Sequence, residues 1–357
     1  MTWNSRSTRI TSLFGIDLPV VLGPFGGMSS VELTAAVSAA GGLGSFGLYG
    51  YTPDRIRDTA AQLAAATDRP IALNLWLPLD GTDQFRLERD EFEQHRAALK
   101  PYFDELGLPL PEMPDRYLPG FDEQFEATLA ARPAVVSFVF GVPDASVIER
   151  AHTAGSLVVG AATTVEEAVA LEAGGVDAVV ATGMEAGGHR VSFLRPAEES
   201  LVGTFALIPQ VVDAVTIPVI AAGGIADGRG LAAALVLGAD AVQVGSALLA
   251  TDESAAAPVY RAALRGPEAA HTVLTRALSG RLARGIPNRL TREVLPADIA
   301  PFPVQNWLTS QFRPTAAETG RSELMSLWAG QATPLVRHHQ AAEVITDMVR
   351  TARGLLG

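Results

Sequence analysis

Eight short apolar runs, each bounded by turn residues and separated by helical patterns, dominate this chain. They are Val20 to Leu22, Leu43 to Leu48, Ile71 to Leu75, Val135 to Phe140, Leu157 to Gly160, Ala178 to Ala181, Pro218 to Ala222 and Ala241 to Val244. Runs that are apolar throughout belong to strands buried on both faces, as in parallel sheets covered by helices. The segment after the first run shows the helical half of the unit. Ser29 and Glu32 have capping-box spacing, which predicts a helix opening at Ser29. Leu33, Ala36, Val37 and Ala40 form an i, i+3, i+4, i+7 stripe, and Gly41-Gly42 ends it. A weak internal repeat, Gly175-Val-Asp-Ala-Val179 and Gly238-Ala-Asp-Ala-Val242, closes a helix and opens a strand each time. The expected fold is α/β, a (β/α)8 TIM barrel; a doubly wound open sheet is the competing arrangement.

Two regions exceed the minimal barrel. A long insertion of about residues 78–132 follows the third strand, acidic from Asp80 to Glu105 and then rich in proline. Residues 251–357 form a C-terminal helical extension with a closing helix expected from Pro334 to Leu356, so residues 1–250 are assigned to the barrel. Long excursions of this kind serve either as covers over a barrel mouth or as structural extensions, and both readings stand.

Composition removes whole classes of chemistry. The chain has no cysteine, which excludes disulfides, thiolate zinc sites and thiol catalysis. Lys100 is the only lysine, which leaves little room for a Schiff base or a P-loop. The six histidines show no HExxH-like context for a metal. A formal net charge of −12 argues against nucleic-acid partners and against anionic membrane surfaces. No window reaches the length of a membrane span, and no signal-peptide h-region is read in the first residues, so a cytoplasmic location is expected.

Barrel active sites lie at the C-terminal ends of the strands. There the chain places Gly23-Pro24-Phe25-Gly26-Gly27, Asn74, Thr182 to His189, Gly223-Gly224, and Gln243-Val244-Gly245-Ser246. Few of these are charged and many are glycine, which suits a flat or phosphorylated ligand approached by main-chain N–H groups. The last two turns have the character of a phosphate site, with Asp227 capping the helix that follows Gly224. Gly42-Leu-Gly-Ser-Phe-Gly47 matches GxGxxG but follows a helix and lies along a strand, so it is read as strand packing. His189, behind Gly183, Gly187 and Gly188, is the candidate catalytic side chain, since an imidazole suits proton transfer near neutral pH. Glu185 is either its partner or a loop anchor.

The motifs Gly183-Met-Glu-Ala-Gly-Gly-His189, Ala221 to Gly230, Gln243 to Ser246, Asn74-Leu-Trp76, Ser279 to Gly285 and Trp328-Ala-Gly-Gln331 resemble those of the nitronate monooxygenases, formerly 2-nitropropane dioxygenases. The resemblance implies FMN, with the isoalloxazine near Pro24, Phe25 and Gly26, flavin contacts from Asn74, Thr182 and Gly187, and the phosphate held by Gly224 and Gln243 to Ser246. It implies oxidation of alkyl nitronates or nitroalkanes with O2 to carbonyl compounds and nitrite, and His189 as the catalytic histidine. It is compatible with a homodimer. Two departures are visible: Thr182 stands where the family usually has glutamine, and Phe25 where methionine or leucine is common. The same superfamily contains NAD(P)H-dependent reductases of quinones and enoyl thioesters, which form the alternative function, and a non-catalytic flavin carrier is the third. Thiol-dependent nucleotide dehydrogenases are excluded by the absence of cysteine.

Overall fold

A computed structural model describes residues 8–78 and 85–357. Its main sheet consists of β1 (Val20–Leu22), β2 (Gly44–Gly47), β3 (Ile71–Trp76), β4 (Val135–Val139), β5 (Leu157–Ala162), β6 (Ala178–Thr182), β8 (Val219–Ala222) and β9 (Ala241–Val244). The two-residue β7 (Gly188–His189) lies outside it. All pairings are parallel, and β9 returns to β1 with Val20 opposite Val242. A parallel bridge between Val21 and Leu43 joins β1 to β2, so the sheet closes on itself. The fold is the (β/α)8 barrel, and the open-sheet alternative falls.

The internal repeat has a physical cause. Gly175 and Gly238 follow helices at φ +97° and +100°, the left-handed region that glycine enters without a Cβ clash. Two residues on, Asp177 accepts from Val158 N at 2.7 Å and Asp240 from Val219 N at 3.0 Å. Each aspartate thus ties the start of one strand to its neighbour. Arg9 completes the second case with two bonds to Asp240, at 2.8 and 2.7 Å.

Inside the barrel, Val21, Ala72, Val135, Val159, Val180 and Ile220 form one apolar core, closed below by Ile10 and Phe14 of the helix Arg9–Phe14. The outward faces pack on the surrounding helices. A third cluster joins the insertion to the C-terminal extension: Phe92, Tyr102 and Phe103 pack with Leu308 and Phe312. Residues 79–84 of the insertion lie outside the described residues.

Two expected boundaries move. The second helix spans Val31–Ala39 and is capped by Ser30, whose Oγ accepts from Leu33 N at 2.9 Å. Ser29 is committed elsewhere: its Oγ accepts from Phe25 N and Gly47 N, fixing the turn after β1 against β2. The closing helix begins at Ala341, where Glu253 accepts from Ala341 N at 2.8 Å, and Pro334 belongs to a separate 3-10 turn. Gly44 to Gly47 is a strand, and Gly42 leaves no room for a side chain, since a Cβ there would lie 2.7 Å from Val20 O. That is packing, as the motif's placement implied.

Candidate active site

The loop that leaves β6 is held from below by side chains and packed from the side by glycines. Glu185 is an anchor: its carboxylate accepts from Thr204 N at 3.0 and 2.9 Å and from Thr204 Oγ1 at 2.8 Å, at the start of the helix Thr204–Ala214. Its own carbonyl accepts from Gln331 N at 2.9 Å. Close approach explains the glycines. A Cβ on Gly187 would stand 2.6 Å from Ala329 C, and one on Gly330 would stand 2.9 Å from Glu185 O.

Beneath this loop lie two buried arginines. Arg190 donates to Gly183 O at 2.6 Å, Thr182 O at 3.1 Å and Ser200 O at 3.3 Å. Arg284 donates to Met184 O at 2.8 Å. Three consecutive carbonyls, 182 to 184, are therefore drawn toward guanidinium groups. Burial pushes Arg190 down to about 10, with the Arg284 charge acting in the same direction.

The phosphate-type turns adjoin the loop. Gly223 and Gly224 have φ of +102° and +68°. Asp227 caps the helix Gly228–Val236, accepting from Arg229 N at 3.0 Å and Gly230 N at 3.4 Å. The N–H groups of Gly224 and Gly245 find no acceptor among the described residues. A Cβ on Gly245 would meet only the edge of Phe25, at 4.0 Å. Unclaimed amide donors beside open space are what a phosphate requires, so these residues fit the phosphate end of a flavin mononucleotide.

His189 lies on β7, which pairs antiparallel with β11 (Ala283–Gly285); β11 in turn pairs with β10 (Val273–Thr275). Its ring contacts Trp76 at 5.1 Å, Trp328 at 5.3 Å and Phe302 at 6.4 Å between centroids. Nε2 is 2.9 Å from Ser279 Oγ. Burial, then the charges of Arg281 and Arg313, lower the His189 pKa to about 3. The ring is neutral at physiological pH. The Arg281 guanidinium stacks over Phe140 and Phe302, 4.2 and 4.6 Å from their centroids. Arg313 donates to Ser326 Oγ and to Asn306, and has no carboxylate within 4 Å among the described residues. Tyr49 accepts from Asn306 Nδ2 at 3.0 Å and packs on Trp76. Burial raises the Tyr49 pKa, so its phenol stays protonated.

The residues singled out from the sequence thus converge at the C-terminal ends of the strands. Pro24, Phe25 and Gly26 follow β1, with the Phe25 ring against Gly23 and Gly245. Asn74 lies within β3 and donates to Ser137 O and Oγ on the neighbouring strand β4. Thr182 ends β6, Gly183 and Gly187 follow it, Gly188 opens β7, and Gln243, Val244, Gly245 and Ser246 end and follow β9, with Ser246 Oγ accepting from Gly330 N at 2.9 Å. Tyr49, Arg190, Thr204, Phe302, Asn306 and Arg313 join them without having been singled out. Tyr49 carried a usable signal, its place just beyond the second strand. Asn306 and Arg313 come from an extension with no periodic pattern that points at the barrel.

The model of the nitronate monooxygenase family matches residues 7–351. A crystal structure of nitroalkane oxidase from Streptomyces ansochromogenes is 40% identical, with 98% of this chain and 99% of that one covered and a TM-score of 0.87. FabK from Thermotoga maritima is 29% identical over 98% of this chain and 97% of its own, with a TM-score of 0.76. A probable nitronate monooxygenase of Staphylococcus saprophyticus is 39% identical over 355 residues, 98% of this chain and 99% of that protein. Fold and site together define a flavin-dependent oxidoreductase built on a TIM barrel. The chain belongs to the nitronate monooxygenase family.

Proposed function

We propose that the protein is an FMN-dependent nitronate monooxygenase that converts alkyl nitronates, and more slowly the parent nitroalkanes, with O2 into carbonyl compounds and nitrite. The observation that carries this reading is the field at His189: a neutral imidazole in an aromatic enclosure, acted on by two positive charges, Arg281 and Arg313. Such a field attracts a small organic anion, and a nitronate is one. A neutral nitroalkane must first give its α-proton to His189. The imidazolium so formed stands in a positive field, and that cost is offset only by the anion formed beside it.

FMN, when bound, supplies the redox chemistry. Gly224, Gly245 and Ser246 would hold its phosphate, and Pro24, Phe25, Gly26, Asn74, Thr182 and the Gly183–Gly188 loop would adjoin the ring. Tyr49, Trp76, Phe302 and Trp328 exclude water around His189 and narrow the shape of what can enter. The insertion acts as part of the cover: Phe92 and Tyr117 pack on Trp307, whose neighbour Asn306 bonds to Tyr49.

The purified protein is expected to be yellow and to release flavin monophosphate on denaturation. Gly245→Val is the cleanest probe of the phosphate end. Beyond the Cβ position of Gly245 lies open space, with only the edge of Phe25 at 4.0 Å, so a side chain there enters the approach path without a packing clash. FMN retention on dialysis should fall by far more than the melting temperature of the flavin-free protein. Wild-type retention in Gly245→Val would remove the end of β9 from the cofactor site.

The FabK likeness keeps a second reading in view, an NAD(P)H-dependent reductase of quinones or enoyl thioesters. The two differ in what reduces the flavin.

A further inference from the structure

We propose that Ser279 is a positioning residue that holds His189 as its Nε2–H tautomer, leaving Nδ1 as the ring atom that meets the reacting molecule. The inference rests on the reading of His189 as the catalytic side chain. Ser279 is fully buried in the turn Ser279-Gly280-Arg281. Its hydroxyl has one proton and two lone pairs. The proton goes to Arg281 O at 3.1 Å, an atom that can only accept. One lone pair receives Arg281 N–H at 3.3 Å. With the proton so placed, the remaining lone pair faces His189 Nε2 at 2.9 Å, and Nε2 donates. A neutral imidazole has a single N–H. Nδ1 therefore carries the free electron pair, and it has no hydrogen-bond partner among the described residues.

The opposite assignment is costly. Turning the Ser279 proton toward an unprotonated Nε2 withdraws it from Arg281 O and moves the ring proton to Nδ1. The turn cannot readily relax to compensate. Gly280 has φ +82°, and a Cβ there would lie 2.6 Å from Ala300 O, so the chain is packed closely at this point. Two residues beyond Arg281 the chain enters β11, where Ala283 pairs with His189. Strand register thus fixes both ends of the Ser279–His189 bond, and the edge contact with Trp76 fixes the ring plane.

The consequence is a division of labour within one ring. Nε2–H is held by the protein, and Nδ1 is a proton acceptor with no competing donor. A nitroalkane α-proton would pass to Nδ1 with its electron pair staying on the substrate as nitronate, and His189 would become the imidazolium. A preformed nitronate bypasses that transfer. Ser279 should therefore matter for the first substrate form and little for the second.

The test reads the tautomer directly. Long-range 1H–15N correlation spectra of the FMN-loaded protein, labelled with 15N-histidine and free of substrate, distinguish the two forms. The His189 signals are those missing in His189→Asn. The expected result is Nε2–H across pH 5 to 8 in wild type, retained in Ser279→Thr. In Ser279→Ala the tautomer ratio should shift by about tenfold, the worth of one hydrogen bond, with nitroalkane turnover falling similarly and nitronate turnover nearly unchanged. An Nδ1–H pattern in wild type overturns the proposal, and so does an Nε2–H population that Ser279→Ala leaves unaltered. A tautomer shift without any change in nitroalkane turnover supports the Ser279 assignment and instead overturns the role of His189 as base.

Discussion

His189→Asn is expected to lose roughly 10²–10⁴-fold in flavin reduction by neutral nitroalkanes while keeping its FMN, and to lose much less with preformed nitronates. The asymmetry follows from the electrostatics of the site. Burial, Arg281 and Arg313 hold the ring neutral with a pKa of about 3, so Nδ1 is available as an acceptor but holds a proton poorly. Anionic substrates need no such transfer and are drawn by the same positive charges. Equal losses with both forms would make His189 a substrate-positioning group, and no loss would make it a structural element of its glycine loop. The same depression has a stability signature. An unfolded chain protonates this histidine below its ordinary 6.5, whereas the folded protein refuses the proton until about 3. Stability contributed by the neutral ring is complete above pH 6.5 and is lost as pH falls toward 3. Melting temperatures measured from pH 7 to pH 4 should therefore fall less steeply in His189→Asn than in wild type.

Arg190→Met should be the most damaging substitution outside the aromatic enclosure. It fills the same space with an apolar stem but strips donors from the carbonyls of Thr182, Gly183 and Ser200. Gly183 O keeps the Ala186 N–H at 3.1 Å, but the carbonyls of Thr182 and Ser200 lose their donor, and at about 1–3 kcal/mol for each buried carbonyl left without a partner a loss of ~2 kcal/mol or more is expected. The damage falls on the loop that carries Gly183, Gly187 and His189. Both the melting temperature of the flavin-free protein and FMN retention should drop together, unlike Gly245→Val, whose effect falls mainly on retention. Arg190→Lys keeps the charge but not the fork, and should recover only part of either quantity. Unchanged melting and unchanged retention in Arg190→Met would show that Arg284 alone orders the loop.

The barrel was legible because its strands are apolar throughout and its turns are punctuated by glycine, signals that depend on short stretches of chain. The repeated Gly-x-Asp-Ala-Val segments were legible as helix-to-strand transitions, whereas the bond from each aspartate to an amide of the preceding strand depends on strand order and shows only in the structure. The helix start at Ser30 was missed by one residue because Ser29 and Ser30 have equal capping propensity and only the tertiary contact to Gly47 N decides between them. Glu185 was ambiguous for a similar reason: its partner Thr204 is 19 residues away. The wall around His189 was least visible. Tyr49 comes from the barrel and Phe302, Asn306 and Arg313 from the extension, and they meet only where the extension docks, which no local pattern encodes.

Anaerobic stopped-flow mixing of the FMN-loaded protein tests the proposed function most directly, with ethyl nitronate in one experiment and NADH or NADPH in the other. Rapid bleaching of the flavin by nitronate alone, followed by reoxidation and nitrite release on admitting O2, is the predicted result. Bleaching by a reduced nicotinamide, with nitronate inert, would contradict it and identify a reductase.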